Sequence, residues 1–574
     1  MQKALTVKNR NLLIVAGISV LAVIFVGIFL KSFSLEGGQV FQNKISAVIL
    51  PHHDLAKSER QALLDQVAAK TQPKTIILVS PNHFDSGTSN IITTSKTWKL
   101  ANAQILPAKS DIENLVSSGL VIDDENAFLN EHGITNVLED LNNSFPDAKV
   151  LPIIIKPSAS KENLASFFAE LTKINFQDCL LVSSVDFSHY QPGALAEIHD
   201  SLSIRALADL DEDLIWQAEV DSPQALALAI SWAKHAETGH FNLSLETNSG
   251  KLQNSPNAES TSYVLGYFEK NGESAAPKEM TFQIGGDMMF DRLVSAKYPK
   301  NNLVNVVSKL GERFFWGVDA ALVNLEGPIG ETYSLPNTAV DNLSFRFPPK
   351  TVEVLSFLHL NAVTLANNHT LNGASSMLEN TKSVLTKAGI TPMGDQTHVG
   401  EETFSYQDQK LTIITINTLE DSSNINSKIK AAKNDGAFVL IFPHWGSEYS
   451  QTHSQSQARL AHDWIDAGAD LVIGSHPHVV SDAELYKGKP IFYSLGNLLF
   501  DQTFSKETQR GLVIAGKISK DELTLVLLPT ISVKLQPQLL GGDERYQIIS
   551  KLRTELNQAP LENSYGFDTI RLSR

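Results

Sequence analysis

The chain has 574 residues, a formal net charge of −16 and a pI near 5.5. Its length exceeds one ordinary hydrophobic core, so two or more domains are the default, and 42% hydrophobic against 19% charged residues excludes a disordered chain. The acidic balance argues against nucleic acid as a partner, because phosphate backbones are held by basic surfaces, and one cysteine, Cys179, excludes an internal disulfide and thiolate zinc knuckles.

Leu12 to Leu30 is a run of 19 residues without a charge, about the length of a bilayer-spanning helix. Lys3, Lys8 and Arg10 precede it and Lys31 follows. The positive-inside bias predicts a cytoplasmic N-terminus (1–11), a single-pass transmembrane anchor (12–30) in the cell membrane and an extracytoplasmic remainder. A cleaved signal peptide is the competing reading. The run is longer than a usual signal core and no small-x-small cleavage site follows, which favours the anchor. Residues 31–43 read as a spacer.

A first globular unit is expected over 44–270. Ile45–Leu50, Thr75–Ser80 and Cys179–Val185 are short apolar runs without alternation, the signature of strands buried on both faces. They end in His52-His53-Asp54, in Asn82-His83 and in Asp186-Phe-Ser-His189, while Glu131-His132 opens a helix or a loop. Cys179 sits in its apolar run as a small core residue. Glu59–Lys70 and Lys161–Lys173 read as amphipathic helices. Residues 271–279 are polar and aperiodic, a linker.

A second unit follows over 280–540, with 541–574 as a C-terminal extension. Ser375–Ala388 and Gln455–Ala467 are its clearest amphipathic helices. Both units alternate strand and helix signals, so the predicted class is α/β. Six apolar runs here break off into polar clusters: Asp287, Glu326, Asn367-Asn368-His369, His444, Ser475-His476-Pro-His478 and Ser494-Leu-Gly-Asn497. In helix-covered sheets ligands collect beyond the carboxyl ends of the strands. Asp287 alone would suit a turn or a helix cap equally well, and a lone strand-end histidine is more often structural. Two carboxylates suit divalent cations, an Asn oxygen is a neutral hard ligand, and His476 and His478, two apart, point the same way in an extended chain. Together they predict one metal site. His199, His235, His240, His359, His398, His453 and His462 lie outside these motifs and read as surface or structural residues.

Residues 280 to about 536 resemble the CapA family of capsule-synthesis proteins, whose fold is similar to the calcineurin-type metallophosphoesterase sandwich. The resemblance rests on Gly286-Asp287, Asn324-Leu-Glu-Gly-Pro328, Ala366-Asn-Asn-His369, His444-Trp-Gly446, Gly474-Ser-His-Pro-His478 and Ser494-Leu-Gly-Asn497. It implies Glu326 bridging two metals, with Asn368, His444 and His476 on one, Asp287 and His478 on the other, and His369 as general acid. The phosphoesterase pattern has a histidine two residues after the first Asp; here that position is Met289, one ligand short. Residues 45 to about 269, closing on Thr261-Ser-Tyr-Val-Leu-Gly-Tyr267, resemble the Memo-like family (AmmeMemoRadiSam system protein B), itself similar to the class III extradiol dioxygenases. That likeness implies His52 and His83 as metal ligands and His132, Asp186 and His189 lining one pocket. The Memo pattern adds a cysteine after these motifs. None stands there in this chain; Asp221 and Ser222 lie nearby in sequence.

The expectation is therefore a membrane-anchored two-domain protein of poly-γ-glutamate capsule or surface-polymer production. Its second domain would be a metal-dependent hydrolase holding one or two Mn, Fe or Zn ions, and its first would take Fe(II) or another metal. Its partners would be a surface polymer or phosphoester substrate and the membrane proteins of capsule synthesis. A non-catalytic factor that binds an anionic polymer through the same centre is the alternative.

Overall fold

The computed structural model describes residues 45–574 apart from 175, 256–258, 273–275, 300, 333, 335, 337, 340, 374, 422 and 560–568. Its first sheet has eight strands. Four central ones, Ile45–Leu50, Cys179–Ser184, Thr75–Pro81 and Lys149–Ile155, run parallel. On one side strand Ser262–Glu269 runs antiparallel to Ile45–Leu50, and His240–Asn248 pairs beyond it at the edge. Both faces are covered, which is why these strands read as unbroken apolar runs. One face packs Leu63, Leu64 and Val67 of helix Lys57–Ala68; the other packs helices Lys161–Leu171, Gly193–Ala208 and Pro223–His235. Cys179 is buried in that second core, where burial pushes its thiol up to about 12.

Residues 280–573 form two further sheets packed face to face. Strand Met280–Met288 is the pivot of the larger one. It runs parallel to Ala320–Leu325, which continues through Ala362–Thr364 and Thr391–Met393. On its other side it pairs antiparallel with Arg510–Ile518, followed by Glu522–Val533. The smaller sheet is built on Gln409–Asn417, Phe438–His444, Leu471–Ile473 and Lys489–Phe492, again parallel. Phe282, Ile284, Leu322, Ile413, Leu440, Ile473 and Ile514 fill the space between the sheets. Helices Thr351–Phe357 and Ser375–Lys387 cover one outer face, and Asn426–Asn434 and Gln455–Ala467 the other. Residues 542–573 add a helix and an edge strand, Thr569–Ser573, paired with Glu522–Val533.

Helix Gly193–Ala208 is buried on nearly every side because it lies between the two halves. Leu202 and Leu207 belong to the first core, whereas Leu195 and Ile198 pack with Met288 and Phe314 of the second. Its Arg205 donates to both oxygens of Asp319, at 3.0 and 2.5 Å, and lies 4.2 Å over the Tyr406 ring. Such contacts give the halves a buried and partly charged junction.

The α/β expectation holds. The membrane anchor does not carry over: among the described residues no helix is long and apolar enough to cross a membrane, and the expected span, 12–30, lies outside those residues. A single-pass topology and the cell-membrane location built on it are therefore withdrawn. A charge-free run supplies only hydrophobicity, whereas a span also requires a continuous helix.

Candidate functional site

Parallel pairing brings the six polar strand endings of the second half to one edge. Asp287 lies in register with Asn324 on one side and Asn497 on the other, and His444 bridges Ser475. Glu326 is two residues beyond Asn324, so both face the same way. Asn324 Nδ2 donates to Asp287 Oδ1 at 2.8 Å and to Glu326 Oε2 at 3.2 Å. All the carboxylates and imidazoles named for this site are buried.

Two overlapping groups of donors result, Glu326 with His444 and His476, and Asp287 with Glu326 and His478; within each group the donor atoms lie within 4.8 Å of one another. His444 Nε2 stands 2.9 Å from Asn368 Oδ1. That is a hydrogen-bond separation, close to the roughly 3.0 to 3.4 Å that two donors about 2.1 Å from one ion would adopt. His444 Nδ1 is held by Ser475 Oγ at 3.1 Å, which leaves Nε2 as the ring nitrogen that could meet an ion. His478 lies between the carboxylates, its Nδ1 3.3 Å from Asp287 Oδ2 and its Nε2 3.5 Å from Glu326 Oε1.

The electrostatics of the cluster follow from burial and from its own charges. Burial holds Glu326 well above the usual carboxylate range; His478 opposes this and Asp287 reinforces it. Burial also lowers His478, but Glu326 and Asp287 outweigh it and raise the imidazole to about 9. Burial drives His444 well below its ordinary value and His476 down to about 4, the neighbouring histidines adding to both effects. Neither Glu326 Oε1 nor His476 Nδ1 makes a hydrogen bond, although both are buried. Orphaned buried acceptors are costly, and a divalent cation between them would satisfy both. The donor set fits the metal that the sequence motifs imply.

His369 lies beside this set, with Nε2 3.9 Å from Glu326 Oε1. Its Nδ1 is 3.1 Å from both the Leu343 carbonyl and Asn372 Oδ1, so Nε2 faces the cluster. Met289 does not. It is fully buried among Phe290, Val294 and Phe347, and its sulfur accepts the Asp291 backbone N–H. Asn324, and Asn497, which was named only as part of a strand ending, had no predicted role and also stand at this edge. Asn497 Oδ1 lies 3.0 Å from His478 Nδ1; the strand-end position of both asparagines was the available signal.

The first half builds a second cluster at the carboxyl ends of its own parallel strands. His52, His83 and His132 have ring centroids 4.0 to 5.2 Å apart. Asp186 Oδ2 is 3.3 Å from His52 Nε2. His189 donates its backbone N–H to Glu219, and its buried Nδ1 makes no hydrogen bond. Two carboxylates absent from the predicted set belong here. Glu131 caps helix His132–Thr135 and holds His83 Nδ1 at 2.5 Å. Asp221 lies 3.5 Å from His52 Nε2. Its neighbour Ser222 instead caps helix Pro223–His235.

The profile described as bacterial capsule synthesis protein PGA_cap matches residues 281–419 and 395–502, and the Memo-like protein profile matches 28–265. The chain is 27% identical over 271 residues to the PGA biosynthesis protein CapA of Bacillus subtilis, covering 42% of this chain and 70% of that one. It is 44% identical over 88 residues to the capsule biosynthesis protein CapA of Bacillus anthracis, covering 15% of this chain and 21% of that one. A MEMO1 family protein of Metallosphaera sedula is 30% identical over 153 residues, 25% of this chain and 53% of its own length. The chain thus spans about half of that relative and about a fifth of the Bacillus anthracis protein. Among solved structures, an uncharacterized protein from Escherichia coli K12 is matched at 16% identity with a TM-score of 0.28, over 39% of this chain and 99% of that one; a likeness of that degree carries no argument.

Proposed function

Because this chain joins a Memo-like domain to a capsule-synthesis domain of the PGA_cap family, we propose that it serves the production of an anionic surface polymer of the poly-γ-glutamate kind, and that its second half is a metal-dependent phosphoester hydrolase. The names of the CapA relatives support the role. The observation that carries the chemistry is the buried convergence of Glu326, Asn368, His444 and His476 with Asp287 and His478. Divalent cations held there would polarise a phosphoryl oxygen and acidify a water.

The protein's own groups do the rest. Asn324 fixes both carboxylates through one amide. Ser475 Oγ holds the His444 ring at Nδ1. His369, with Nδ1 tied to Leu343 and Asn372, presents Nε2 toward the cluster, where in its imidazolium form it would hand the Nε2 proton to a departing alkoxide.

A second reading has its own observation. Met289 is sequestered in the core, so the Asp287/His478 position has one ligand fewer than a two-ion hydrolase would use. The centre would then hold a polymer without cleaving it. Metal analysis of the protein together with an aryl-phosphodiester assay separates the two. Two equivalents of metal, with turnover abolished in Asp287→Ala and His444→Ala, supports hydrolysis. A metal-replete protein without turnover supports binding alone.

A further inference from the structure

Beside the second-half centre stand two rings that its donor set does not use. Tyr449 and Phe504 are 45% and 68% exposed, with centroids 5.2 Å apart and planes at 85°. Aromatic rings this exposed leave apolar faces in water, and next to a pocket such faces mark a binding surface. Tyr449 is also built into the site. Its backbone N–H donates to the Pro477 carbonyl at 2.7 Å, and its ring centroid lies 6.2 Å from that of His478. Gln502 Nε2 donates to its hydroxyl at 3.3 Å, and Gln502 Oε1 accepts from Asn497 Nδ2 at 3.0 Å. The Tyr449 backbone is left-handed at φ 63°, a conformation that residues with a side chain rarely adopt. The fold therefore holds this ring in place against its local preference.

The charges around these rings are set against a second anion. Phe345 and Phe500 pack on His369 and His478, with centroids at 4.4 and 4.8 Å. The cation that lies on both of them, Arg292, is 5.1 Å over Phe345 and 5.6 Å over Phe500, and its Nε and Nη2 donate to the two oxygens of Asp501. That guanidinium is committed. Glu448, exposed and adjacent to Tyr449, faces the centre: its negative charge acts on Glu326, His369, His476 and His478 together. No Lys or Arg pairs with Glu448 among the described residues. A carboxylate-bearing arm laid here would meet Glu448 with no cation to offset it, whereas an uncharged ring would cover apolar surface.

We propose that Tyr449 and Phe504 form a subsite for an uncharged ring, glycosyl or aryl, carried by the phosphoester, and that Glu448 turns away a second anionic group. This rests on the reading of the centre as a phosphoester hydrolase and narrows its substrate. The ester belongs to a ring-bearing group, not to the polyanionic chain itself.

The test reads binding rather than turnover, by calorimetry on the Mn(II)-loaded full chain. Its non-hydrolysable probes are methylphosphonate, phenylphosphonate, a C-glucosyl phosphonate and 3-phosphonopropionate. In the parent the phenyl or the glucosyl probe should bind at least about tenfold tighter than methylphosphonate, and whichever does so names the ring. The carboxylate-bearing 3-phosphonopropionate should bind more weakly than methylphosphonate. Tyr449→Ala combined with Phe504→Ala should abolish the ring preference at unchanged metal content, with thermal melting confirming the fold. Glu448→Gln should bring 3-phosphonopropionate up to the methylphosphonate level; no change there would overturn the role of Glu448. Equal binding of ring and methyl probes in the parent, or a ring preference that survives in the double variant, would overturn the subsite alone. Failure of every probe to bind the metal-loaded protein would overturn the phosphoester reading along with it.

Discussion

Glu326 shows what a buried candidate ligand costs the fold that carries it. Its carboxylate is buried, lies near Asp287, and has one oxygen without a hydrogen bond. Such a group favours unfolding until a cation binds, and a ligand that binds only the native state stabilises it by mass action. In chelator-treated protein, Glu326→Gln should therefore melt at the same temperature as the parent or higher. On adding Mn(II) or Zn(II) the parent should gain several degrees and the variant little, a contrast that differential scanning calorimetry reads directly. An equal metal-induced rise in both would exclude Glu326 as a ligand. The type and position of this residue were legible from its apolar run, its turn and its Asn-Leu-Glu-Gly-Pro setting. That one of its oxygens lacks a hydrogen bond was not, because that depends on residues more than a hundred positions away.

The strand ends carry their own constraint. Gly286 precedes Asp287 where a Cβ would stand 2.0 Å from the Gly496 carbonyl oxygen, and Gly474 precedes the His-x-His pair where a Cβ would stand 2.3 Å from Trp445 Nε1. These glycines let neighbouring backbones close around the site. Gly286→Ala should destabilise the second half by about 3 kcal/mol or more, since backbone must move, and should reduce metal retention with it; denaturant melts followed by metal analysis test this. Beyond Gly474 the chain leaves the sheet with His476 at φ 96° and His478 at φ 58°, a left-handed backbone that costs of order 1 kcal/mol or more per residue. The strand stops at Ile473, and the extended backbone that would point His476 and His478 the same way is not the one adopted. Hydrophobic runs report where a strand is buried, but the strain that ends one is imposed by its partners. Helix Gln455–Ala467 was readable to the residue, because Ser454 and Gln457 form a local capping box.

Across the whole molecule, the junction between halves is its least expected feature. Burial raises Glu219, but His199 at 3.3 Å and Arg313 at 2.7 Å outweigh it and lower the carboxylate to about 2. Ser188 and the His189 backbone N–H also face it. A carboxylate depressed in the folded state stabilises that state above its unfolded pKa, near 4.5, and the contribution is lost as pH falls toward 2. The parent should therefore exceed Glu219→Gln by about 3 kcal/mol at pH 6, and the gap should narrow steadily below pH 4.5. Urea melts of both proteins across that range measure it; a pH-independent gap would rule out Glu219 as the charged partner of His199 and Arg313. His199 read as structural from sequence, and its position between Glu219 and Gln283 agrees.

Local pattern alone reached the α/β class, the division near 271–279 as an expectation, and most of the histidines and carboxylates that gather at strand ends. Those signals are short in range: apolar runs, turn residues, caps and family motifs are all written within a few neighbouring positions. Folding added what depends on distance: the convergence of Glu326 with His444 and His476, the approach of Asp221 to His52, the removal of Met289 into the core, and the buried charges that join the halves. A ligand set is a relation among atoms far apart along the chain, and only the packing of parallel strands brings those atoms within bonding reach of one ion.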